Sequence, residues 1–376
     1  MRFPGFEGEW EEYINEHLFS ISKEKNKSLE YHTVLSASQT EGMVERDSLG
    51  IDIKYEAESV SGYKVVRPGE YVIHLRSFQG GFAFSDKTGI CSPAYTILHP
   101  KEVLSYGFLK EYFMSQKFID SLRLVTYGIR DGKSIFVEEW MKLKTYIPKS
   151  HKEQERIKEF LGLIDKRLTI QNKVIEDLKK LKSAFCEKMY DESNPNTRLA
   201  DIIEQQSIRN KAGEDLKVLS VSNRYGFVEQ SEQFEDRTVA SEDTSNYKIV
   251  ALNDFAYNPA RINVGSIARL KNFKNGIVSP MYICFRCKGS VLPEFLEPFF
   301  STKYFSLEMG KRLEGSVRMC LSFEGLCNIP INIPSYEEQT ETAKKVNALS
   351  EKQRQEESYS ILLSAQKEYI LSQMFI

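Results

Sequence analysis

The sequence predicts an α+β chain of two similar globular heads, each followed by a long α-helix, with the two helices forming an antiparallel coiled coil. The first observation behind this is an internal repeat. Ile147-Pro148 and Glu153-Gln154 precede a helical run to Met189-Tyr190, and Ile333-Pro334 and Glu338-Gln339 precede another to Met374-Phe375. Gln154 to Met189 and Gln339 to Met374 are both 35 residues. Within the heads, Val34-Leu35-Ser36-Ala37-Ser38 returns as Val218-Leu219-Ser220-Val221-Ser222, and Gly42-Met43-Val44 as Gly226-Phe227-Val228. Gly89-Ile90-Cys91-Ser92-Pro93 returns as Gly276-Ile277-Val278-Ser279-Pro280, so all the offsets fall between 184 and 187. A duplicated chain suits a two-part target.

The second observation is periodicity. Ile157, Leu161, Ile164, Leu168, Ile175, Leu178, Phe185 and Met189 recur in the alternating four-three spacing of a heptad, with Gln171 and Lys182 at the two remaining seam positions. At 1.5 Å per residue this rod is roughly 55 Å long. The equivalent seam of the second rod is weaker. Its apolar members are Val346, Leu349, Leu363, Ile370 and Met374, while Thr342, Gln353, Glu356, Ser360 and Lys367 fill the rest. Alone it would be marginal, so it is expected to lie antiparallel against the first rod or against a partner.

Third, the heads alternate short β-rich runs with Gly, Asn and Ser turns: Tyr71-Val72-Ile73, Ile277-Val278, and 281–285, which reads as one strand. Aromatic helix candidates cover Phe108 to Phe118 and Phe295 to Phe305. These signals place the first head at 1–148, the first helix at 149–190, the second head at 191–334 and the second helix at 335–376, with the turn-rich Asp191 to Asn196 as the clearest boundary.

Composition narrows the class. With 376 residues, 41% hydrophobic and 28% charged, the chain reads as soluble and globular. No run approaches the roughly 18 apolar residues of a membrane span, and Met1 to Trp10 has no apolar signal core. The six scattered cysteines do not look like a disulfide framework, so a cytoplasmic location is expected. Net charge is −2, which argues against a polycation that coats nucleic acid. One stretch departs from the balance. From 255 to 293 there is no acid, yet Arg261, Arg269, Lys271, Lys274, Arg286 and Lys288 fall there, which predicts a local basic surface.

No catalytic constellation emerges. Gly128 to Ser134 resembles a phosphate loop, but Gly128 stands four residues before Gly132 where five are required, and a Gly-rich turn is the better reading. Tyr257-Asn258-Pro259-Ala260 lacks the second proline and the aromatic of a base-flipping methyltransferase motif, and no G-x-G-x-x-G accompanies it, so it reads as a strand-end turn. Cys284 and Cys287 with Cys320 and Cys327 could make a zinc site, but a strand aims i and i+3 to opposite faces. Buried small hydrophobes are expected instead, and no metal or cofactor. The five histidines lack ligand spacing, and Asp52-x-Lys54 has no acidic partner motif before it.

Polar loop residues at matched places in the two heads remain. The first head offers Ser38, Gln39, Arg76, Ser77, Gln79, Lys87, Arg130 and Lys133. The second offers Asn223, Arg224, Arg261, Asn263, Arg269, Lys271, Asn272, Lys274 and Arg318. Arg reads guanine edges, Asn and Gln read adenine edges, and Lys and Ser hold phosphates. As a set over two heads they point to double-stranded DNA.

The opening Arg2-Phe3-Pro4-Gly5-Phe6-x-Gly8-Glu9-Trp10, the junction Ile147-Pro148 to Glu153-Gln154-x-Arg156-Ile157, and Leu178-Lys179-Lys180-Leu181-Lys182 running to Met189 together resemble the DNA-specificity subunit of type I restriction–modification systems. The resemblance covers essentially the whole chain. It implies that each head is a target-recognition domain reading half of a bipartite, asymmetric DNA site. It further implies that the helices space the halves and dock two methyltransferase subunits, which restriction and translocase subunits then join, and that this subunit is itself non-catalytic. The second rod departs from the pattern with Gln353, Glu356 and Ser360 in its seam and no counterpart to Glu155-Arg156-Ile157. The competing expectation is a two-headed coiled-coil scaffold that does not touch DNA.

Overall fold

The computed structural model describes residues 3–38, 41–49, 57–128, 133–190, 195–223, 225–230, 244–315 and 318–375. The chain divides into two compact units, Met1–Asn172 with Ser358–Ile376, and Lys173–Glu357. Each unit therefore holds one head, the start of one long helix and the end of the other.

In the first unit, a four-stranded antiparallel sheet runs in the order Phe19–Ser22, Thr96–Pro100, Tyr71–Ile73, Ala83–Phe84. Beside it lie two ribbons, Leu35–Ser38 with Gly42–Glu45, and Lys64–Val66 with Gly89–Cys91, joined by a parallel bridge from Val34 to Ile90. The second unit repeats this plan. Its first sheet is Ile203–Gln206, Ile283–Cys287, Phe255–Tyr257, Ile267–Arg269, and its second is Gly226–Glu229, Val218–Ser222, Asn275–Val278, Lys248–Ala251. The parallel step recurs as Val218 opposite Ile277. The strand expected at 281–285 begins instead at Ile283, because Met281 and Tyr282 belong to a turn in which the Tyr282 N–H donates to Ser279 O at 3.0 Å.

Repeated side-chain devices hold these sheets. Gly42 and Gly226 both turn their hairpins at positive φ (79° and 70°), and at Gly42 a Cβ would lie 2.4 Å from the Phe84 carbonyl oxygen. Buried carboxylates close the loops before the central strands. Glu70 accepts from the Arg67 N–H at 2.7 Å and contacts His99, while Asp254 accepts from the Ala251 N–H at 2.8 Å and holds Arg286 with two bonds. The expected aromatic helices are each broken into two, Lys110–Phe113 with Gln116–Ser121 and Pro293–Phe299 with Lys303–Gly310. Ser115 and Thr302 cause the break. Each sits extended and caps the following helix by accepting from Phe118 N–H or Phe305 N–H.

The long helices span His151–Met189 and Tyr336–Met374, 39 residues each. Their seam is the one the periodicity predicts: Ile157, Leu161, Gln171 and Ile175 are buried on the first, and Thr342, Val346, Leu363 and Met374 on the second. Within each unit the two helices run antiparallel. Asp165 meets Lys367 and Asn172 meets Ser360 in the first unit, while Lys179 meets Glu357 in the second. The seam residues are thus occupied inside the chain. Ile157 and Leu161 pack with Leu371, Met374 and Phe375 into the aromatic core of the first head, around Phe19, Phe82, Phe113 and Trp140.

The Glu-Gln pair at each helix start has a clear purpose. The Gln154 amide oxygen accepts from the Ser105 N–H at 2.7 Å, and its nitrogen donates to Val103 O at 3.0 Å and Pro148 O at 2.9 Å. Gln339 does the same: it accepts from the Leu292 N–H at 2.9 Å and donates to Ser290 O and Pro334 O. Each buried amide satisfies three backbone groups and locks its helix to its head, a device worth on the order of 2–3 kcal/mol. Each head is also closed by the other helix's end. Phe375 stacks on Tyr112 at 4.4 Å, and Tyr190 packs against Phe295 and Phe299.

Candidate nucleic-acid interface

In both heads the central strand delivers its chain to one end of the sheet. Tyr71–Ile73 leads into a loop beginning at His74, and Phe255–Tyr257 leads into one beginning at Asn258. In the second head, Asn258 folds this loop as an Asx turn: its side-chain oxygen accepts from the Ala260 N–H at 3.1 Å and its carbonyl from the Arg261 N–H at 3.0 Å. The strand-end reading of Tyr257-Asn258-Pro259-Ala260 is thereby explained. Arg261 and Asn263 project from this loop and are exposed. Asn223, on the neighbouring hairpin turn, donates to Val264 O at 3.4 Å. The Leu321 N–H donates to Pro259 O at 3.1 Å, which brings in the bridge from Glu314 to Cys320 that carries exposed Arg318. Asn223, Arg261, Asn263 and Arg318 thus belong to one end of one head.

The first head builds the same end. Arg76 and Gln79 are exposed on the loop, and the short helix Ser77–Gly80 contacts the strand Ser134–Ile135, next to exposed Lys133. Burial lowers the His74 imidazole to about 4, so it is neutral at pH 7 and its Nδ1 accepts from the Arg76 N–H at 3.3 Å. Ser38 closes the hairpin beside it and accepts from the Glu41 N–H. Gln39, Arg130 and Arg224 lie outside the described residues.

Six candidates are either buried or placed away from this end. Ser77 is 0% exposed, and its hydroxyl oxygen accepts from the His74 N–H at 2.8 Å, so it shapes the loop from within. Arg269 is 7% exposed and binds Glu294, Glu297 and Asn253. Lys271, Asn272 and Lys274 occupy the turn after Ile267–Arg269, at the opposite end of the same strand pair, and Lys271 is held by Glu297 at 2.7 Å. Lys87 occupies the corresponding turn of the first head and pairs with Glu45 at 3.0 Å. A three-residue strand reverses the chain so quickly that Arg261 and Lys271 finish at different ends of the head.

Part of the local basic surface expected at 255–293 is neutralised by the same contacts, while Arg261, Lys274 and Lys288 stay exposed. The acids that flank the stretch fold back on it: Asp254 takes Arg286, and Glu294 and Glu297 take Arg269 and Lys271. Residues missed in the sequence are exposed apolar groups on the interface elements. They include Leu75 and Tyr127 in the first head and Tyr225, Val264, Met281 and Met319 in the second. Their only signal was an apolar residue inside a polar turn.

Other chemistry is quieter. Burial pushes the Cys284 and Cys287 thiols up to about 12, so both stay protonated as small core groups. Among the described residues no group of His, Cys, Asp and Glu is placed to hold a metal ion, and no helix is long and apolar enough to cross a membrane.

No family model matches the sequence, and no curated protein matches it. Solved structures do. A chain from a structure described for complex assembly and conformational transition of the type I R-M system superposes with a TM-score of 0.58 at 12% identity, covering 97% of each chain. The type I restriction–modification S subunit from M. genitalium gives 0.55 at 15% identity, covering 98% of this chain and 96% of that one. The HsdS subunit from Thermoanaerobacter tengcongensis gives 0.48 at 14% identity, covering 100% and 97%. The chain shares its fold with the first two of these structures over essentially its whole length.

Proposed function

We propose that the chain is a non-catalytic DNA-specificity subunit of a type I restriction–modification enzyme. Its two heads each read one part of a bipartite, asymmetric site in double-stranded DNA, and the length of the helices sets the gap in that site. The observation that carries this reading is the repeated loop end: Arg76 with Gln79 and Lys133, and Arg261 with Asn263, Asn223 and Arg318, exposed at the same place on two copies of one head. Guanidinium and amide groups on short, hydrogen-bonded loops can meet base edges in the major groove. The modest net charge suits a subunit whose partners, two methyltransferase subunits and through them restriction subunits, supply part of the phosphate contact.

Co-expression with a type I methyltransferase subunit, followed by mapping of methylated bases across genomic DNA, tests the reading. A motif with two short specified parts around a fixed gap is expected. A stable complex that leaves no methylated motif would favour a scaffold that does not touch DNA.

A further inference from the structure

Each head carries a second basic element that no motif singles out. Lys25-Asn26-Lys27 in the first head corresponds to Arg209-Asn210-Lys211 in the second, at an offset of 184. The central asparagine is 1% exposed in both. Asn26 donates to Tyr31 O at 2.8 Å and accepts from the Tyr31 N–H at 3.1 Å, while Asn210 donates to Glu214 O and accepts from the Glu214 N–H, both at 2.9 Å. Its own N–H donates to Tyr63 O or Tyr247 O at 2.9 Å. A buried, fully bonded amide therefore fixes a turn that holds two exposed cations apart, one on each side. Among the described residues no carboxylate pairs with Lys25, Lys27 or Lys211, and Arg209 bonds only the neutral Asn246.

A similar relay of contacts links the turn to the interface end in both heads. Lys25 bridges to Lys64, whose ammonium donates to Tyr95 O, and the Tyr95 ring meets His74 at 6.2 Å, next to Arg76. Arg209 bridges to Lys248, whose ammonium donates to Tyr282 O at 2.6 Å, beside Met281, whose sulfur lies 3.9 Å from Asn258 Nδ2 at the start of the Arg261 loop. Acids stand in the same loops, Glu24 and Glu30 in the first head and Glu214 and Asp215 in the second, and Glu24 is taken by Arg67, so the cations beside each asparagine keep their charge unpaired.

We propose that these two turns are phosphate clamps, each gripping the DNA backbone beside the half-site its own head reads, without regard to base sequence. This rests on the DNA reading above. Two cations held apart by a rigid turn fit successive phosphates, and such contacts fix register while carrying no sequence information. The duplication supports selection for a function, since a turn with only a structural role requires the asparagine but not its neighbours' charge.

The test uses the full chain in complex with methyltransferase subunits, comparing wild type with K25Q/K27Q, R209Q/K211Q and the four together. Duplexes carrying the methylated motif and a scrambled sequence are titrated over a range of salt. The expected result is an affinity falling by the same factor for both duplexes, roughly tenfold per head at low salt, with a salt slope reduced by about one for each phosphate no longer neutralised. The methylated motif stays unchanged. Wild-type affinity and slope in the variants would overturn the clamp while leaving the DNA reading intact, and so would a loss confined to the motif duplex. Failure of the wild-type complex to bind either duplex would instead sink the DNA reading itself. Because the asparagines are untouched, unaltered thermal unfolding of each two-residue variant checks that the turn persists.

Discussion

The two heads share their topology and their hydrogen-bonding devices, yet they solve one electrostatic problem differently. Where the second head buries Arg269 opposite Phe255 and binds it to Glu294, Glu297 and Asn253, the first has Phe84 opposite Tyr71, an apolar ring packed against Tyr71 and Tyr106. Conversely, the first unit joins head and helices through Lys367, Glu111 and Asp165, while the corresponding places in the second are Lys182, Pro298 and Ser350. Amides and capping hydroxyls that satisfy backbone recur in both copies. The buried ion pairs of Arg269 and Lys367 do not. Backbone groups must be satisfied wherever the fold is repeated, whereas an ion pair is one of several ways to fill a polar gap.

Breaking an unshared device should give the most unequal pair of effects. Arg269→Met leaves Glu294 and Glu297 facing a buried site and should cost the second unit about 3 kcal/mol or more. Ser85→Ala, which removes only a neutral hydroxyl bond to Lys87 O from the turn after Phe84, should cost about 1 kcal/mol in the first. Denaturant unfolding followed by hydrogen exchange assigns each loss to its unit, and equal losses would mean that the Arg269 network is not structural.

The Lys367 triad sharpens the contrast through pH. Burial, and then the hydrogen bond it donates to Asp165 when protonated, raise the Glu111 carboxyl above its ordinary range, while the carboxylates around Lys367 raise that amine against the opposing effect of its burial. A raised acid holds its proton in the folded state while the unfolded chain has lost it. Glu111 therefore favours folding below its ordinary pKa and loses that contribution as pH rises towards its folded value. Lys367→Met removes the compensating cation, so the variant should lose about 3 kcal/mol at pH 8 and recover part of it at pH 6, where Glu111 takes up a proton. Lys182→Met should show no such recovery. Thermal unfolding at the two pH values decides between these outcomes.

The shared device should give equal effects. Gln154→Leu and Gln339→Leu each strand three backbone groups, and each should cost on the order of 2 kcal/mol. A difference above about 1 kcal/mol between them would show that the two junctions are not equivalent.

Much of this was legible in the sequence because the chain repeats itself. The heptad seam of the first helix is buried as its spacing implies, and even the polar positions Thr342, Gln353, Glu356, Ser360 and Lys367 of the second fall on its inner face. The purpose of Gln154 and Gln339 was not legible, since it depends on loops some 50 residues earlier folding against the helix start. The placement of the candidate residues was half legible. Arg76 and Arg261 occupy the same loop of the two heads, but the strand turn at 255–269 carries Lys271 to Lys274 to the far end. The basic stretch was overestimated, because the linear sequence does not show the pairing of Arg269, Lys271 and Arg286 with Asp254, Glu294 and Glu297.

The smallest expected effect on stability is also the most direct test of the central claim that the two heads are separate readers. Arg76→Ala and Arg261→Ala alter exposed side chains and should change unfolding by less than about 0.5 kcal/mol. Each should weaken discrimination by about 1–3 kcal/mol at one position of the DNA motif. The measurement is the genome-wide methylation motif of each variant co-expressed with methyltransferase. The account predicts that Arg76→Ala relaxes a position in one part of a bipartite motif and Arg261→Ala a position in the other, with the gap unchanged. Both substitutions relaxing the same part, or neither altering the motif, would contradict it.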